Sequence, residues 1–540
     1  MLNNFGQFWL MVRACAKPWD GRKARIKKRL DEIWLGKNEV RRDYDWIPLY
    51  FRYRQHNEPE TVDDKTWSDL EMDEVFARID RTTSVIGRQY LYAILRIYNK
   101  DDFDVEKQRR SALYSLFRTD EVFREKIQRA LYPLRNSSSA YLTTLLYEEL
   151  PPKPKYYYLL YFSSGLFFLS LALSAVNSAF LFAAAGFALC NLLINTFYGR
   201  IVFRHFADLA SLTTMLSAVG NFARIVPPMK INELDTLRNL KSLAAGLNKK
   251  VFWLCFDEMN AGFPASVVLL FLNLFGLSRL IAFLRSVNDL KKSREQIRRI
   301  FEAIGSLDAH IAIASWMQNV PVSAIPSFNS ARTIDVEGMY HPLIDKAVGN
   351  SLFLRKESVL ITGSNMAGKT TFIKTIGLNV ILARTLFVCL ADRADLPRLI
   401  VRSSIKGDEK VIDGNSYYSR EIEQIREFLN CSEDCFLFLI DEIFRGTNTI
   451  ERIAIGAATL RYLSRRNMVL VTTHDVELQP LLDGCSRLFH FSEQVDGNRY
   501  YFDYILRDGP CRAGNAIKLI ELKGYPPNLI EEARRLAASQ

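Results

Sequence analysis

The stretch that decides the fold runs from Val359 to Ala383 and reads VLITGSNMAGKTTFIKTIGLNVILA. Within it, residues 363–370 fit the pattern G-x-x-x-x-G-K-[ST] without a mismatch. A β-branched segment precedes the pattern and a helical repeat follows it, which predicts a strand, a glycine loop and a helix N-terminus. Such a loop turns backbone N–H groups and the positive end of the helix dipole towards a polyphosphate. We therefore predict a phosphate-binding loop.

The residue types of this loop predict a nucleotide site that needs a metal ion. Lys369 would place a cation beside the β- and γ-phosphates of ATP, and the Thr370 hydroxyl would be a ligand of Mg²⁺. The predicted nucleotide-binding residues of the loop are Gly363, Ser364, Asn365, Met366, Ala367, Gly368, Lys369, Thr370 and Thr371.

Two later apolar segments end in polar residues with chemistry suited to the same site. The run Cys435–Ile440 is followed by Asp441 and Glu442, and the run Met468–Thr473 leads into His474. We predict that Asp441 binds Mg²⁺, that Glu442 positions the attacking water and that His474 senses the γ-phosphate. The alternatives are an acidic pair that caps a strand end and a histidine that is an ordinary polar terminus. The combination predicts an α/β P-loop NTPase that hydrolyses ATP to ADP and phosphate, with Glu442, His474 and Lys369 as its catalytic residues.

These motifs resemble the ATPase domain of the MutS mismatch-repair family. The family writes its loop as G-P-N-M-G-G-K-S/T, and this chain retains the Asn365-Met366 pair. Residues 441–449, DEIFRGTNT, resemble the family's Asp-Glu followed by G-R-G-T-S-T, and Thr473-His474 matches its T-H motif. Residues 413–422 resemble its signature helix, G-x-S-T-F-x-x-E-M.

The resemblance implies an ABC-type ATPase head joined to an α-helical core domain. Residues 80–91 of this chain resemble the start of that core domain. It also implies a homodimer with two composite ATP sites, in which Ser416 reaches the γ-phosphate bound by the partner subunit. DNA is the further partner that the family implies.

Two departures from the family pattern limit what the resemblance carries over. Family members that recognise mismatches carry an N-terminal domain with an F-x-E string. In this chain the string Phe123-Arg124-Glu125 lies inside a helical pattern, so we treat it as coincidence and predict no mismatch-reading role for it. The aromatic residue that precedes the loop strand in the family is replaced by residues 347–349, Ala-Val-Gly, which leaves base selectivity open.

Two uncharged segments predict a transmembrane helical hairpin. Tyr156–Val176 contains 21 residues and Ala179–Phe197 contains 19, with only two residues between them. Each is long enough to cross a hydrocarbon core of about 30 Å. Basic residues flank the hairpin and its turn has none, so the positive-inside rule places both flanks, and the ATPase domain, in the cytoplasm of a multi-pass cell-membrane protein. The alternative is a hairpin buried in a water-soluble core.

A third apolar run, Phe263–Ser278, leaves several alternatives open. One additional complete crossing would place the ATP site in the wrong compartment, so this run is re-entrant, interfacial, paired with a segment such as Val251–Phe256, or a buried helix. Of these alternatives we favour the last two, and the sequence does not choose between them. Further on, residues 297–311 carry Ile and Leu at helical spacing and predict a long amphipathic helix.

Composition is compatible with a protein that meets an anionic partner. The 540 residues carry a net charge of +11, which suits nucleic acid or an anionic membrane surface. The eight cysteines are scattered and predict free cytosolic thiols. The N-terminal basic run lacks the order of a signal peptide and is either an interfacial or a solvated helix.

The predicted organisation has five parts: an N-terminal basic connector (1–65), the first part of the helical core (66–150), the transmembrane hairpin (151–204), a helical lever region (205–319) and the ATPase domain (320–540, opening with a linker over 320–340).

The first hypothesis for the function is a membrane-anchored, MutS-like ATPase whose dimer changes conformation with ATP and binds DNA. The second is an ATP-gated membrane scaffold or switch that acts on a protein or lipid partner. A transporter half is disfavoured because two short-looped helices leave little room for a substrate path.

Overall fold

The computed structural model describes residues 23–37, 42–58, 60–99, 103–135, 140–149, 155–252, 265–364, 367–405, 417–431, 436–444, 447–496, 499–510, 517, 520–521 and 523–538. The chain forms two compact units. Unit 1 comprises residues 1–56, 80–93 and 112–319, and unit 2 comprises residues 57–79, 94–111 and 320–540. Both units therefore draw on the first part of the chain, and the segment predicted as one piece of helical core, residues 66–150, is divided between them.

The secondary structure follows the predicted change from helices to alternating strands and helices. The described helices are α1 (23–34), α2 (Leu49–Arg54), α3 (Asp64–Asp69), α4 (Met72–Ile79), α5 (Val85–Arg96), α6 (Phe103–Thr119), α7 (Glu121–Leu131), α8 (Leu142–Tyr147), α9 (Tyr158–Leu173), α10 (Phe180–Phe222), α11 (Asn232–Asn239), α12 (Lys241–Phe252), α13 (Ala265–Leu274), α14 (Ser278–Lys292), α15 (Arg294–Asn319), α16 (Lys369–Leu386), α17 (Tyr417–Leu429), α18 (Thr449–Ser464), α19 (Leu478–Leu481) and α20 (Pro527–Ala538). The strands are β1 (Ser327–Asn329), β2 (Thr333–Met339), β3 (Asn350–Arg355), β4 (Ser358–Thr362), β5 (Arg393–Pro397), β6 (Ile400–Ser404), β7 (Phe436–Asp441), β8 (Met468–Thr472), β9 (Ser486–His490), β10 (Glu493–Asp496), β11 (Arg499–Phe502) and β12 (Arg507–Asp508).

Helix α15 is the central helix of unit 1. The predicted apolar positions of this helix, residues 297, 300, 304, 307 and 311, are all at most 1% exposed. Every residue from Ala303 to Met317 is buried, so this half of the helix has no solvated face. The prediction of a long helix is confirmed, but its amphipathic character is limited to its first turns.

A buried carboxylate on α15 caps helix α5. Asp308 accepts hydrogen bonds from the backbone N–H of Thr83 (2.9 Å) and from the N–H (2.7 Å) and hydroxyl (2.6 Å) of Ser84, which satisfies donors at the helix N-terminus. Burial raises the pKa of Asp308 to about 6. Gly87 leaves room for this cap, since a Cβ there would lie 2.2 Å from Asp308 Oδ2.

Helices α9 and α10 form an apolar hairpin that turns at residues 174–179. Residues Phe180–Tyr198 have a mean hydropathy of 1.8, and only 11% of this segment is buried. Among the described residues this is the one segment whose length and composition suit a membrane span, because α9 has 16 residues and forms a shorter apolar helix. The helical hairpin is present as predicted, whereas its crossing of a membrane stays a prediction.

Helix α10 is much longer than the predicted second crossing. It continues for 43 residues without interruption, and its last part enters the core of unit 1. Leu209, Leu212, Met215, Val219 and Phe222 on this part are all fully buried. One helix therefore joins the exposed apolar hairpin to the helical core.

Unit 2 is built on a six-stranded sheet of order β12-β9-β4-β8-β7-β6. Strands β9, β4, β8, β7 and β6 are parallel, and β12 pairs antiparallel at one edge. The predicted loop strand β4 is central, with all five of its residues buried. The carboxyl ends of β4, β8 and β7 lie side by side, which is where parallel α/β sheets place their ligands.

A second sheet of order β1-β5-β2-β3 corrects the predicted linker over residues 320–340. Strands β1 and β2 lie inside that segment. Ser327–Asn329 pairs with Asp395–Pro397, and Thr333 pairs with Arg355. The proline- and serine-rich composition suggested a linker, but these partners are distant in sequence, and pairing with them decides the local structure.

Helix α3 and the turn after it pack against β6 and α16 of unit 2. Asp69 accepts hydrogen bonds from the Ser403 hydroxyl (2.8 Å) and the Ile405 N–H (3.0 Å), and burial raises its pKa. Glu71 Oε1 lies 2.6 Å from Lys374 Nζ on α16. This early segment is thus part of unit 2, and Ile79 leads directly from it into unit 1.

Candidate nucleotide-binding site

The loop between β4 and α16 has the geometry of a phosphate cradle. Gly363 and Gly368 adopt φ values of 139° and 102°, which side-chain-bearing residues rarely adopt. A Cβ on Gly363 would lie 2.4 Å from the Phe491 carbonyl oxygen, so the loop also needs glycine for close approach. Helix α16 begins at Lys369, immediately after the turn, and its N-terminus therefore faces the loop.

The side chain of Lys369 is folded into the loop. Its Nζ donates hydrogen bonds to the carbonyl oxygens of Gly363 (2.8 Å) and Ser364 (2.9 Å) and lies 3.2 Å from His474 Nε2. The Ser364 hydroxyl is buried and has no hydrogen-bond partner among the described residues. The loop thus holds a cation and an unused hydroxyl where the sequence predicts phosphate oxygens.

Two predicted metal ligands meet beside the loop. The Thr370 hydroxyl donates a 3.0 Å hydrogen bond to Asp441 Oδ2, and the Thr472 hydroxyl donates to Asp441 Oδ1. A hydroxyl and a carboxylate are the oxygen ligands that Mg²⁺ prefers. The donor set therefore fits this ion.

The other two predicted catalytic residues also come together. His474 Nε2 lies 2.9 Å from Glu442 Oε1, and the Glu442 backbone N–H donates to the Thr472 carbonyl oxygen (2.9 Å). Glu442 has φ 60° and Phe444 has φ 56°, so the turn after β7 is held in the left-handed region by its surroundings.

A buried glutamate on α17 holds this strained turn. Glu421 is 5% exposed, and one of its carboxylate oxygens accepts a hydrogen bond from the Phe444 N–H. Sequence reasoning placed Glu421 in the signature segment but gave it no role. The hydrogen bond reaches Phe444, two residues after Glu442. The motif does not predict this contact, because α17 and the turn after β7 meet only in the folded unit.

A cavity of about 590 Å³ adjoins the loop on the side of the segment between β2 and β3. Ala347 and Val348 line it, as expected for the place where the family carries an aromatic residue. Two aromatic rings that sequence reasoning missed, Phe491 and Tyr504, line it as well. Its lining residues are Met339, His341, Ile344, Asp345, Lys346, Ala347, Val348, Asn350, Ser364, Gly368, Lys369, Thr370, Thr371, Phe372, Thr375, Phe491 and Tyr504.

Hydrogen bonds between the Asn350 side chain and the backbone at residues 504–506 hold Tyr504 beside the loop. Asn350 Nδ2 donates to the Tyr504 carbonyl oxygen (3.0 Å), and the Leu506 N–H donates to Asn350 Oδ1 (2.8 Å). Tyr504 has φ 57°, and its ring is the nearest group to a Cβ built on Gly368. The Tyr504 ring thus lies against the loop and lines the cavity.

His341 lines the same cavity as a neutral imidazole. The residue is 6% exposed, and burial, with a smaller contribution from Lys374, lowers its pKa to about 4 although Glu71 opposes the shift. Its Nδ1 accepts a hydrogen bond from the Leu343 N–H (3.3 Å), which fixes the turn that leads into the cavity wall.

The structure brings together most of the predicted site. Gly363, Ser364, Ala367, Gly368, Lys369, Thr370, Thr371, Asp441, Glu442 and His474 all lie at the carboxyl edge of the sheet or in the loop beside it. The predicted ligands Asn365 and Met366, and the predicted trans-acting Ser416, lie outside the described residues.

Comparison with known proteins supports the same interpretation. Residues 359–539 match the family model MutS domain V. The chain is similar to the DNA mismatch repair proteins MutS of Geobacillus thermodenitrificans (29% identical over 262 residues), Thermus thermophilus (28% over 255 residues) and Streptococcus mutans (27% over 259 residues).

These similarities cover part of each protein. They include 46%, 46% and 44% of this chain and 29%, 31% and 30% of the respective relatives. The chain thus spans less than a third of the length of the curated relatives it matches. Together with the phosphate loop and its converging carboxylates, the match identifies residues 359–539 as a domain that resembles domain V of MutS proteins.

Proposed function

We propose that this protein is a membrane-anchored ATPase of the MutS type, in which ATP hydrolysis changes the conformation of a homodimer that binds DNA. The observation that carries the proposal is the convergence of Lys369, the Thr370–Asp441 pair and the Glu442–His474 pair at one edge of the sheet. The matched relatives are named as DNA mismatch repair proteins, and the DNA-binding part of the proposal rests on that similarity.

Phosphate binding would use groups that already point into the loop. Lys369 Nζ would exchange the Gly363 and Ser364 carbonyl oxygens for β- and γ-phosphate oxygens of ATP, and the Ser364 hydroxyl would gain an acceptor. The N–H groups of the first turn of α16 add their partial positive charge. The cavity lined by Phe491 and Tyr504 would receive the adenosine part.

Thr370 and Asp441 would hold the metal ion, since their oxygens face each other across 3.0 Å. Bound Mg²⁺ would neutralise charge on the phosphate oxygens. Thr472 keeps Asp441 oriented through its own hydrogen bond.

Glu442 would orient the water that attacks the γ-phosphate, and His474 would connect that carboxylate to Lys369. His474 lies within 3.2 Å of both charged groups, so its ring can respond when a phosphate changes the position of Lys369. Ser416 would act on the partner subunit's nucleotide, as the family resemblance implies.

Membrane anchoring is supported by the exposed apolar hairpin of α9 and α10. Leu181, Phe182, Leu189 and Leu193 on α10 are each at least half exposed, which a water-soluble protein would normally cover. The basic residues on both flanks of the hairpin sequence favour a cytoplasmic ATPase unit, where ATP is available.

The hydrolytic part of the proposal is tested with the full chain purified in detergent. We expect Mg²⁺-dependent release of phosphate from ATP and its loss in Lys369→Ala, because the cation that binds phosphate is removed. Lys523→Ala, which changes an exposed lysine in unit 2, is the matched control. Equal turnover in Lys369→Ala and in Lys523→Ala would overturn the assignment.

The DNA-binding part is tested separately, because a membrane scaffold with the same ATPase is the competing function. We expect the affinity for a DNA duplex to fall steeply with salt, as phosphate contacts require. A chain that hydrolyses ATP but shows no DNA affinity at low salt would be assigned to the scaffold function.

A further inference from the structure

Two polar side chains in the apolar hairpin, Asn191 and Ser164, bind the turn that follows α13. Asn191 on α10 is fully buried; its Oδ1 accepts a hydrogen bond from the Ser163 hydroxyl (2.6 Å), and its Nδ2 donates to the Phe275 carbonyl oxygen (2.6 Å). The Ser164 hydroxyl donates to the Gly276 carbonyl oxygen (2.8 Å). Both helices of the hairpin therefore hold the end of α13.

Aromatic packing continues this contact. The ring centroid of Phe167, a buried residue of α9, lies 5.7 Å from those of Phe271 and Phe275. Phe168 contacts the same turn, since a Cβ on Gly276 would lie 3.1 Å from its ring. The turn is thus fitted closely against the hairpin.

The level of this contact can be placed along the hairpin. At 1.5 Å per residue, Ser163 lies about 8 Å and Phe167 about 14 Å from the start of α9 at Tyr158. Asn191 lies about 10 Å from Tyr198 by the same measure. With the hairpin tyrosines at the membrane surface, where such residues are enriched, α13 would end about 10 Å inside a hydrocarbon core that is about 30 Å thick.

The outer face of α13 is apolar and exposed. Ala265–Leu274 contains no charged residue. Val267, Val268, Leu270 and Phe271 are between 37% and 56% exposed, in the same unit as the exposed hairpin. The two apolar surfaces meet where α13 packs on the hairpin.

The carbonyl groups of the turn have the hydrogen-bond partners within the protein that backbone groups need inside a lipid bilayer. The last carbonyl groups of a helix lack partners within the helix, and in a hydrocarbon core each unsatisfied group costs several kcal/mol, because water is absent. Asn191 and Ser164 satisfy two carbonyl groups of the turn directly after α13, those of Phe275 and Gly276. Asn and Ser side chains join helices in this way inside membranes.

We propose that residues 265–276 form a third membrane-embedded segment, held by Asn191, whose exposed face contacts lipid acyl chains. Among the alternatives for the third apolar run, this selects a re-entrant segment rather than the paired or buried helix that the sequence favours, because the chain turns at residues 275–277 and continues into α14, which packs against α12, the helix before the segment. The inference rests on the proposed membrane anchoring.

The test uses the full chain reconstituted into phosphatidylcholine vesicles that contain a lipid with a diazirine on its acyl chain. After photolysis, peptide mass spectrometry locates the labelled residues. We expect label in residues 180–198 and also in residues 265–274. Label in 180–198 alone would overturn the inference and leave the anchoring intact, whereas label in neither segment would overturn the anchoring itself.

A substitution tests the role of Asn191. Asn191→Leu removes both of its hydrogen bonds, and we expect labelling of residues 265–274 to fall at least twofold while that of 180–198 is unchanged. Thr196→Val is the matched control, because the Thr196 hydroxyl donates to the carbonyl oxygen of Leu193 in its own helix. Unchanged labelling of 265–274 in Asn191→Leu would remove Asn191 from the proposal.

Discussion

His474 Nε2 lies 2.9 Å from Glu442 Oε1, although the two residues follow different strands of the sheet. The contact exists because β7 and β8 are parallel neighbours whose carboxyl ends coincide. It joins the carboxylate that would orient water to the imidazole that also contacts Lys369. The order of the strands therefore brings together the groups to which we assign hydrolysis.

Glu442→Gln should separate binding from hydrolysis. The amide keeps the size of the side chain and its contact with His474 but cannot act as a general base, so turnover should fall by about 10²–10⁴-fold. Nucleotide affinity, measured by fluorescence with a labelled ATP analogue, should remain within about twofold of the native value. Glu427→Gln, on the exposed face of α17, is the control, and normal turnover in Glu442→Gln would remove this residue from the catalytic role.

Glu421 should affect the rate without affecting binding. Its carboxylate accepts a hydrogen bond from the Phe444 N–H and so holds the turn that carries Glu442. We expect Glu421→Leu to lower kcat about tenfold or more with little change in KM, because an interaction that positions the base is lost. Glu421→Gln should restore most of the rate, since an amide oxygen can accept the same bond. A general structural defect would instead lower the stability of both variants and raise KM.

Tyr504→Ala should weaken the binding of the adenine base of ATP. Removing the aromatic face beside the loop should raise KM about fivefold, corresponding to about 1 kcal/mol of lost stacking, while kcat changes little. Tyr504→Phe keeps the ring and should behave as the native chain. If adenine and guanine nucleotides lose affinity equally, the ring provides stacking without base selectivity.

Gly87→Ala should destabilise unit 1. The added Cβ would lie 2.2 Å from Asp308 Oδ2, where both residues are buried, and overpacking of this kind costs about 1–3 kcal/mol. Gly246→Ala is the control: no atom lies within 4 Å of its added Cβ, and alanine within helix α12 should be neutral or stabilising by up to about 1 kcal/mol. Thermal unfolding followed by circular dichroism compares the two, and equal midpoints would contradict the close contact.

His341 should make unit 2 sensitive to acid. Burial lowers the pKa of His341 to about 4, below its ordinary value of 6.5. The stability that the neutral imidazole contributes is therefore complete above pH about 6.5 and is lost as the pH falls through about 4, in total about 3 kcal/mol. The apparent unfolding midpoint should fall less between pH 6.5 and 4 in His341→Gln than in the native chain. His56→Gln, at an exposed histidine, should retain the native dependence.

Local motifs made most of the site predictable. Gly363, Lys369 and Thr370 lie in one continuous pattern, and Asp441 and His474 each follow an apolar strand, so their meeting requires only a parallel sheet. Tyr504 was missed because it lies 134 residues beyond Thr370 and reaches the loop only through its bonds with Asn350. Its contribution depends on the folded backbone, which no local pattern describes.

The division into units was less predictable than the site. Asp69 belongs to a helical segment near the start of the chain, but its hydrogen bonds to Ser403 and Ile405 place that segment in unit 2. Helical periodicity shows which face of a helix is buried and does not show which partner buries it. Strand β1 was missed for the same reason, since three residues form a strand only because Asp395–Pro397 pair with them.

The uninterrupted course of α10 has a mechanical consequence. A helix of 43 residues is about 65 Å long, roughly twice the thickness of a hydrocarbon core, and its far end is locked among the core residues of unit 1. Hydrophobic mismatch changes the tilt of a membrane helix, and a stiff rod passes that tilt to whatever holds its other end. For an anchored chain, the thickness of the surrounding bilayer would then bias the packing of the helical unit, so that lipid composition becomes an input to the protein in its own right.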